Sequence, residues 1–451
     1  MNLHNTNSRS PILRESKSTA IHMLEPKDLT VYIETHGCKL NQADSQKLAQ
    51  SFNKEGFKIV DNVKEADVHV LNTCTVTHVA DRKARSALRK GNRKNPQVFT
   101  VATGCYAERN PESLSGIDEV SLVVGNKEKE NLVTQVLTYL TPVRQTRLHK
   151  PTDLINYGLA KRTRASLKIQ EGCNQICAYC IVPKVRGREK SISEEELVTQ
   201  VQSLSKQGYQ EVILTGTQLG SYGFETPGVN LITMLNRILR ETDIPRIRVS
   251  SLQPQEISEN LLSLWQNPRL CPHFHVPLQS GANTILRYMR RRYTTNDYAE
   301  ALKRIRARIP GVALTTDLIV GFPGETNALF EESYSFCKKM EFSSIHVFPY
   351  SERPGTSAVY FTDRIREDEK RSRIQSIISL GKEQGNTFRR ELIGTTRPIL
   401  WEQCANEGEH YISSGLSDNY VRVSMRSATP PESQITKVKL LHLNEGILWG
   451  N

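Results

Sequence analysis

The stretch Glu171–Cys180, EGCNQICAYC, decides how the rest of the chain is read. Its cysteines, Cys173, Cys177 and Cys180, follow the spacing C-x3-C-x2-C. Three thiolates hold three irons of a 4Fe–4S cluster and leave the fourth iron open to a small molecule. A structural zinc site usually wants four closed ligands, commonly two pairs, and no fourth Cys or His lies close by. A zinc knuckle or half a ferredoxin is the competing interpretation of the spacing alone.

Around this loop the pattern is strand, loop, helix, repeated six times from Ala165. The strands read ASLKIQEG, EVILTGT, RIRVSSL, HFHVPLQ, ALTTDLIVGF and SSIHVFPY. Strands alternating with helices make a parallel sheet. Six units fall short of the eight of a full barrel, so a partial barrel is expected, open on one side to admit a large substrate. The cysteine loop follows the first strand and so belongs on the C-terminal face, where such folds do chemistry.

Upstream, LTVYIET ends at Gly37-Cys38, ADVHVLNT ends at Cys74 and VFTVATG ends at Gly104-Cys105. In a parallel sheet ligands sit beyond the carboxyl ends of the strands. Cys38, Cys74 and Cys105 are therefore placed to converge. Each alone reads as a small buried hydrophobe, but three at equivalent strand ends make a second open-sited cluster. After Asn386 short alternating strands, RPILWEQ, HYISSGL, YVRVSM and ITKVKLLHL, are separated by Gly, Ser, Asn and Pro, enough for a small β-barrel. The expected fold class is α/β: an N-terminal parallel α/β sandwich, a central partial (βα)6 barrel and a C-terminal small antiparallel β-barrel. The expected division is a disordered tail at 1–27, the sandwich at 28–145, a linker at 146–164, the partial barrel at 165–385 and the terminal barrel at 386–451.

Of the 451 residues 37% are apolar, and no apolar run reaches a membrane span. The polar, Ser-rich beginning lacks the apolar segment of a signal peptide. Six of the nine cysteines occupy motif positions, which fits a reducing cytoplasm better than disulfides; Cys271, Cys337 and Cys404 read as structural or incidental. The net charge of +12 calls for an anionic partner, most often nucleic acid. Asp81–Lys94 carries seven bases and one acid, and Leu286–Arg308 carries eight bases against Asp297 and Glu300. Any single run reads first as a solvated helix face; their joint placement reads as a footprint for a phosphate backbone. Arg186 and Arg188 follow the cysteine loop directly, and guanidinium forks hold phosphate or carboxylate.

The pieces THGCKLNQADS, NTCTVT, ATGCYAE, EGCNQICAYCIVPKVRGRE, LTGTQLGSYG, FHVPLQSG, DLIVGFPGET and HVFPYSERPGT occur in that order. Together they resemble the methylthiotransferases, radical S-adenosylmethionine (SAM) enzymes with an N-terminal second-cluster domain and a C-terminal TRAM domain. The resemblance implies replacement of a C–H hydrogen by a methylthio group. Acid–base help, worth only ~10²–10⁴-fold, does not break such a bond, so a cofactor must. It implies a 4Fe–4S cluster on Cys173, Cys177 and Cys180 that binds and cleaves SAM to a 5′-deoxyadenosyl radical. A second 4Fe–4S cluster on Cys38, Cys74 and Cys105 would carry the sulfur, methylated by another SAM. SAM is expected along the barrel's C-terminal edge, near Tyr179, Thr217, Gln218, Ser251, Gln279 and Glu325. Within the family, GCKLNQADS is similar to the type that modifies threonylcarbamoyladenosine beside the anticodon of tRNA. That base carries a carboxylate, which Arg186 or Arg188 could pair. The partners implied are tRNA, SAM and an electron donor such as flavodoxin or ferredoxin, in the cytoplasm and without a membrane. The alternatives are isopentenyladenosine in tRNA, an aspartate of a ribosomal protein, and a non-catalytic iron–sulfur protein that binds RNA or carries electrons.

Overall fold

β-branched residues in TVYIET and the nearly continuous apolar run of VHVLNT make the first two strong strands of a parallel sheet. The computed structural model describes residues 29–140, 163–431 and 434–451. The expected tail at 1–27 and all but the last two residues of the expected linker at 146–164 lie outside the described residues. Two compact units result, one holding the residues up to 140 together with Lys184–Arg186, the other holding the rest from 163.

In the first unit β1 (Thr30–Thr35), β2 (Lys58–Ile59), β3 (Val68–Thr73), β4 (Phe99–Gly104) and β5 (Leu122–Val124) pair in the order β2-β1-β3-β4-β5, all parallel. Every residue of β3 is buried, as a central strand covered on both faces must be. One face packs Val31, Val70, Leu48 and Phe52 with the helices Lys39–Lys54 and Leu132–Leu140. The other packs Leu71, Ala84, Leu88 and Tyr106 with the helix His78–Lys94. The two additional strands, β2 and β5, are too short for a period of two to show in sequence.

The second unit begins with β6 (Arg164–Lys168), followed by the small hairpin of β7 (Gln170–Glu171) and β8 (Lys190–Ser191). Then come β9 (Glu211–Thr215), β10 (Arg246–Val249), β11 (His273–His275), β12 (Ala313–Val320) and β13 (Ser344–Pro349). They pair as β10-β9-β6 and β11-β12-β13, all parallel, and the bridges Ile247↔Leu270 and Ser251↔His275 join the two sheets into a six-stranded wall. Along β12, Leu314, Leu318 and Val320 face the helices, so Thr315, Asp317 and Ile319 take the inner face.

The chain ends in a closed barrel of β14 (Thr396–Glu407), β15 (His410–Ser417), β16 (Arg422–Ser427), β17 (Ile435–Asn444) and β18 (Ile447–Gly450), ordered β14-β15-β16-β18-β17. The sequence pattern gave four of these strands; β18 is a four-residue return after the turn at Glu445-Gly446. The preceding helix, Glu367–Glu391, runs past residue 386 because Phe388 packs into the barrel's own core. The barrel sits beneath the wall, at the N-terminal ends of its strands. There Arg246 donates to the carbonyls of Leu416 (3.2 Å) and Ser417 (2.8 Å), and Arg397 and Asn419 donate to that of Gly311. Fully buried Glu211 anchors this end, 2.7 Å from Arg248 and 3.0 Å from Arg246. The C-terminal ends of the strands, where the cysteine loop lies, are at the opposite side of the wall. No helix among the described residues is long and apolar enough to cross a membrane.

Candidate active site

The loop after β6 is built by close backbone approach. Gly172 has φ +77°, and a Cβ there would fall 2.0 Å from the Arg188 carbonyl oxygen. Only glycine lets residues 187–188 lie across the loop, where the Gly187 carbonyl accepts from the Cys173 amide at 3.1 Å. Ala178 donates to Met289 and accepts from Ala358, which pins the loop from two sides. Cys173 Sγ accepts from the Gln175 amide at 3.3 Å, and Cys177 Sγ accepts from Arg291 Nη1 at 3.4 Å. Burial, with Cys177 and Cys173 nearby, pushes the Cys180 thiol up to about 12. None of the nine cysteines is in a disulfide. Three free thiols in one loop, one of them reluctant to lose its proton to water, suit a metal that replaces the proton. The donor set therefore fits three irons of a cluster.

Polar groups surround this loop at the strand ends. Gln170 Oε1 accepts from the amides of Thr217 and Gln218, both at 2.9 Å. Thr217 Oγ1, after β9, and Ser250 Oγ, after β10, are buried without a hydrogen-bond partner. Buried hydroxyls are seldom left so, and these two are where a polar ligand would be satisfied. Gln218 accepts from Gln253 at 2.5 Å and donates to Glu256, and Gln253 accepts from Arg291 at 3.2 Å. A continuous polar chain thus runs from Cys177 to Glu256, whose carboxyl burial raises to about 7. Ser251 sits where β10 bridges to β11. Gln279, after β11, adopts the left-handed φ of +68°, fixed by backbone hydrogen bonds to Asp317 and Ile319. Tyr179 packs with Phe322 and Tyr350.

Glu325, expected at the cofactor, has its partners within the fold. It is buried, accepting from the Gly321 amide at 2.8 Å and from Arg373 at 2.9 Å, and so braces the loop after β12.

In the first unit Gly37 has φ +111°, and a Cβ there would lie 2.8 Å from Cys74 Cβ. Asn41 Nδ2 donates to the carbonyls of His36 (2.7 Å) and Thr73 (3.0 Å), and Thr73 Oγ1 donates to that of Thr103 (2.5 Å). The ends of β1, β3 and β4 are thereby tied together. Burial, then Cys105 and Cys38 close by, push the Cys74 thiol up to about 12. Asn126 Nδ2 lies 3.6 Å from Cys105 Sγ, and Cys38 is exposed. This donor set has the same character as the first.

Arg186, expected at the substrate, likewise has partners within the fold. It belongs to the first unit, with its guanidinium 2.5 Å from Asn41 Oδ1 and 3.1 Å from Asp44 Oδ2, and its side chain is 3% exposed. Arg188 is exposed and has no side-chain partner among the described residues. On the helix His78–Lys94, Arg82, Lys83, Arg89, Lys90, Arg93 and Lys94 are exposed, whereas Arg85 is half-buried and donates to Tyr106 at 2.7 Å.

Sequence reasoning missed Arg291, Gln170, Gln253 and Asn41. Arg291 was visible only as one member of a basic run. The other three are polar residues in a two-residue strand, in a loop and at a helix start, with no spacing that marks them.

A six-stranded parallel wall carrying three free thiols on the loop after its first strand defines a radical SAM core. The model of the Radical SAM superfamily matches residues 167–337, and that of Uncharacterized protein family UPF0004 matches residues 30–125. The chain is 36% identical to the threonylcarbamoyladenosine tRNA methylthiotransferase MtaB of Bacillus subtilis, over 91% of this chain and 94% of that one. It is 34% identical to the tRNA-2-methylthio-N(6)-dimethylallyladenosine synthase of Endomicrobium trichonymphae, over 83% of this chain and 89% of that one. Among solved structures, the radical SAM methyltransferase TsrM of Kitasatospora setae, which has cobalamin and a 4Fe–4S cluster bound, matches with a TM-score of 0.52 at 14% identity, over 72% of this chain and 75% of that one; the likeness is one of fold. The chain belongs to the tRNA methylthiotransferase family of radical SAM enzymes.

Proposed function

We propose that this enzyme replaces the hydrogen on carbon 2 of N6-threonylcarbamoyladenosine, beside the anticodon of tRNA, with a methylthio group. The observation that carries the proposal is the presence of two three-thiol sites, one in each unit, in a chain similar over nearly its whole length to a relative named for that nucleoside. Cys173, Cys177 and Cys180 would hold the 4Fe–4S cluster, and Cys38, Cys74 and Cys105 a second one. The first cluster, with SAM, supplies one-electron chemistry on a C–H bond that acid–base groups cannot break.

The residues of the chain do the rest. Thr217, Ser250, Ser251, Gln279 and Tyr179 bind and orient SAM along the strand ends. Gln218, through Gln253, holds Arg291 beside Cys177. The exposed bases of helix His78–Lys94 hold tRNA phosphates. A reduced flavodoxin or ferredoxin in the cytoplasm is the electron source this scheme calls for.

Dimethylallyladenosine is the runner-up nucleoside, since another relative is named for it. Mass analysis of tRNA nucleosides from cells with and without the gene tests the assignment. The 2-methylthio derivative of threonylcarbamoyladenosine should vanish with the gene; its persistence would refute the proposal.

A further inference from the structure

One polar cluster on the inner face of the wall takes no part in the sites above. His275, on β11, places Nε2 3.2 Å from Asp317 Oδ2 on β12. His346, on β13, places Nδ1 3.2 Å from Asp317 Oδ1. The register explains the meeting, because Asp317 is the direct partner of His346 and Thr315 the direct partner of His275. Thr315 Oγ1 lies 3.0 Å from His275 Nδ1 and fixes that ring, and the two imidazoles stack with centroids 5.8 Å apart. Each carboxylate oxygen of Asp317 is thus taken by one imidazole. Burial disfavours the Asp317 carboxylate, yet hydrogen bonds from His275 and His346 outweigh it and hold it well below the usual range.

His346 differs from its partners in being open. Its side chain is 52% exposed, and Nε2 has no partner among the described residues. Ile345 and Val347 pack towards the helices, so His346 and Phe348 share the inner face of β13. Phe348 is 41% exposed. Tyr350, two residues further on, packs beside Ala178 of the cysteine loop. β13 pairs only with β12 and is one of the two edge strands of the wall, β6 being the other. Along the strand Phe348 thus lies between His346 and the residue that packs on the cysteine loop.

We propose that His346 is the specificity-determining residue that reads the acidic substituent of the target base, with Asp317 and His275 as the positioning residues that aim it. This rests on the nucleoside assignment above. An imidazole carrying both protons donates from Nδ1 to Asp317 and from Nε2 to the substrate carboxylate. Phe348 supplies a face on which the unstacked adenine lies. An isopentenyl group offers no acceptor to His346, so the same contact that favours the acid leaves a buried donor unpaired against the hydrocarbon.

The test uses the full chain, anaerobically reconstituted, and two tRNA substrates, one bearing N6-threonylcarbamoyladenosine and one in which that carboxylate is converted to its methyl ester. His346→Phe and His346→Gln should each lower kcat/KM on the acid about 10- to 100-fold, the usual worth of a hydrogen bond to a charge. Neither should alter iron content, and the ester, which keeps only neutral acceptors, should lose less than the acid does. Wild type should prefer the acid by the same factor. If wild type acts on the acid and both variants keep their rate on it, the proposal falls while the nucleoside assignment stands. If wild type ignores the acid, the nucleoside assignment itself falls. The three side chains, with ligand atoms all within 4.8 Å, would also suit a divalent cation. A stoichiometric non-iron metal in wild type that is lost in His346→Gln would overturn the proposal, because Nδ1 would then be a ligand and not a donor.

Discussion

Arg291 Nη1 lies 3.4 Å from Cys177 Sγ, while Nη2 of the same guanidinium lies 3.2 Å from Gln253 Oε1. The middle cysteine of the loop is thereby joined to the polar chain at the ends of β9 and β10. A fixed cation beside a thiolate favours its charged form, and a guanidinium cannot lose its charge in doing so. Arg291→Gln should leave the iron content unchanged and reduce SAM cleavage to 5′-deoxyadenosine by about 10- to 100-fold, the range for a hydrogen bond to a charged group. Chromatography of the cleavage product checks this, and an unchanged rate would return Arg291 to a packing role.

The exposed bases on helix His78–Lys94 predict salt-dependent tRNA binding. A log–log slope on the order of −3 to −6 follows from several phosphate contacts. Arg82, Arg89 and Arg93 share a face, being seven and four residues apart. Their joint change to Gln should make the slope shallower by about 2 to 3. Arg85→Gln should have little effect on the slope, because that guanidinium is tied to Tyr106. Binding isotherms at several salt concentrations decide it.

Glu211 is a stability site. Burial opposes its charge, but Arg248 and Arg246 lower its pKa to about 2. A group whose folded pKa is depressed contributes stability above its unfolded value, near 4.3, and loses it as pH falls through about 2. Glu211→Gln leaves two arginines without their counter-charge and should cost ~3–5 kcal/mol at neutral pH, measured by urea unfolding. The loss should shrink below about pH 4, where the carboxylate of the unfolded chain takes up a proton that the folded one still resists.

The candidate ligand residues are legible in the sequence, because cysteine spacing and strand ends are written in residue type and period. What holds those residues in place is not. Arg291 reaches Cys177 across 114 positions, and Arg186 reaches Asp44 across 142. No local periodicity records such pairs. Glu325 follows a strand end, where a ligand is expected, but its partner Arg373 lies 48 positions on, in the helix that closes the series. β2, β5 and β18 escaped because two to four residues show no alternation. His346 stands inside the stretch HVFPYSERPGT with nothing local to single it out; its proposed role depends on pairing with Asp317 on the neighbouring strand.

The central claim is a division of labour between two cysteine trios, and one variant tests it most directly. Cys74→Ala, reconstituted anaerobically and supplied with SAM, a reductant and tRNA bearing threonylcarbamoyladenosine, should bind about four irons where wild type binds about eight, by the two-cluster count. It should still form 5′-deoxyadenosine and should yield no methylthio nucleoside by mass analysis. Full iron content, or methylthio product at the wild-type rate, would contradict the account.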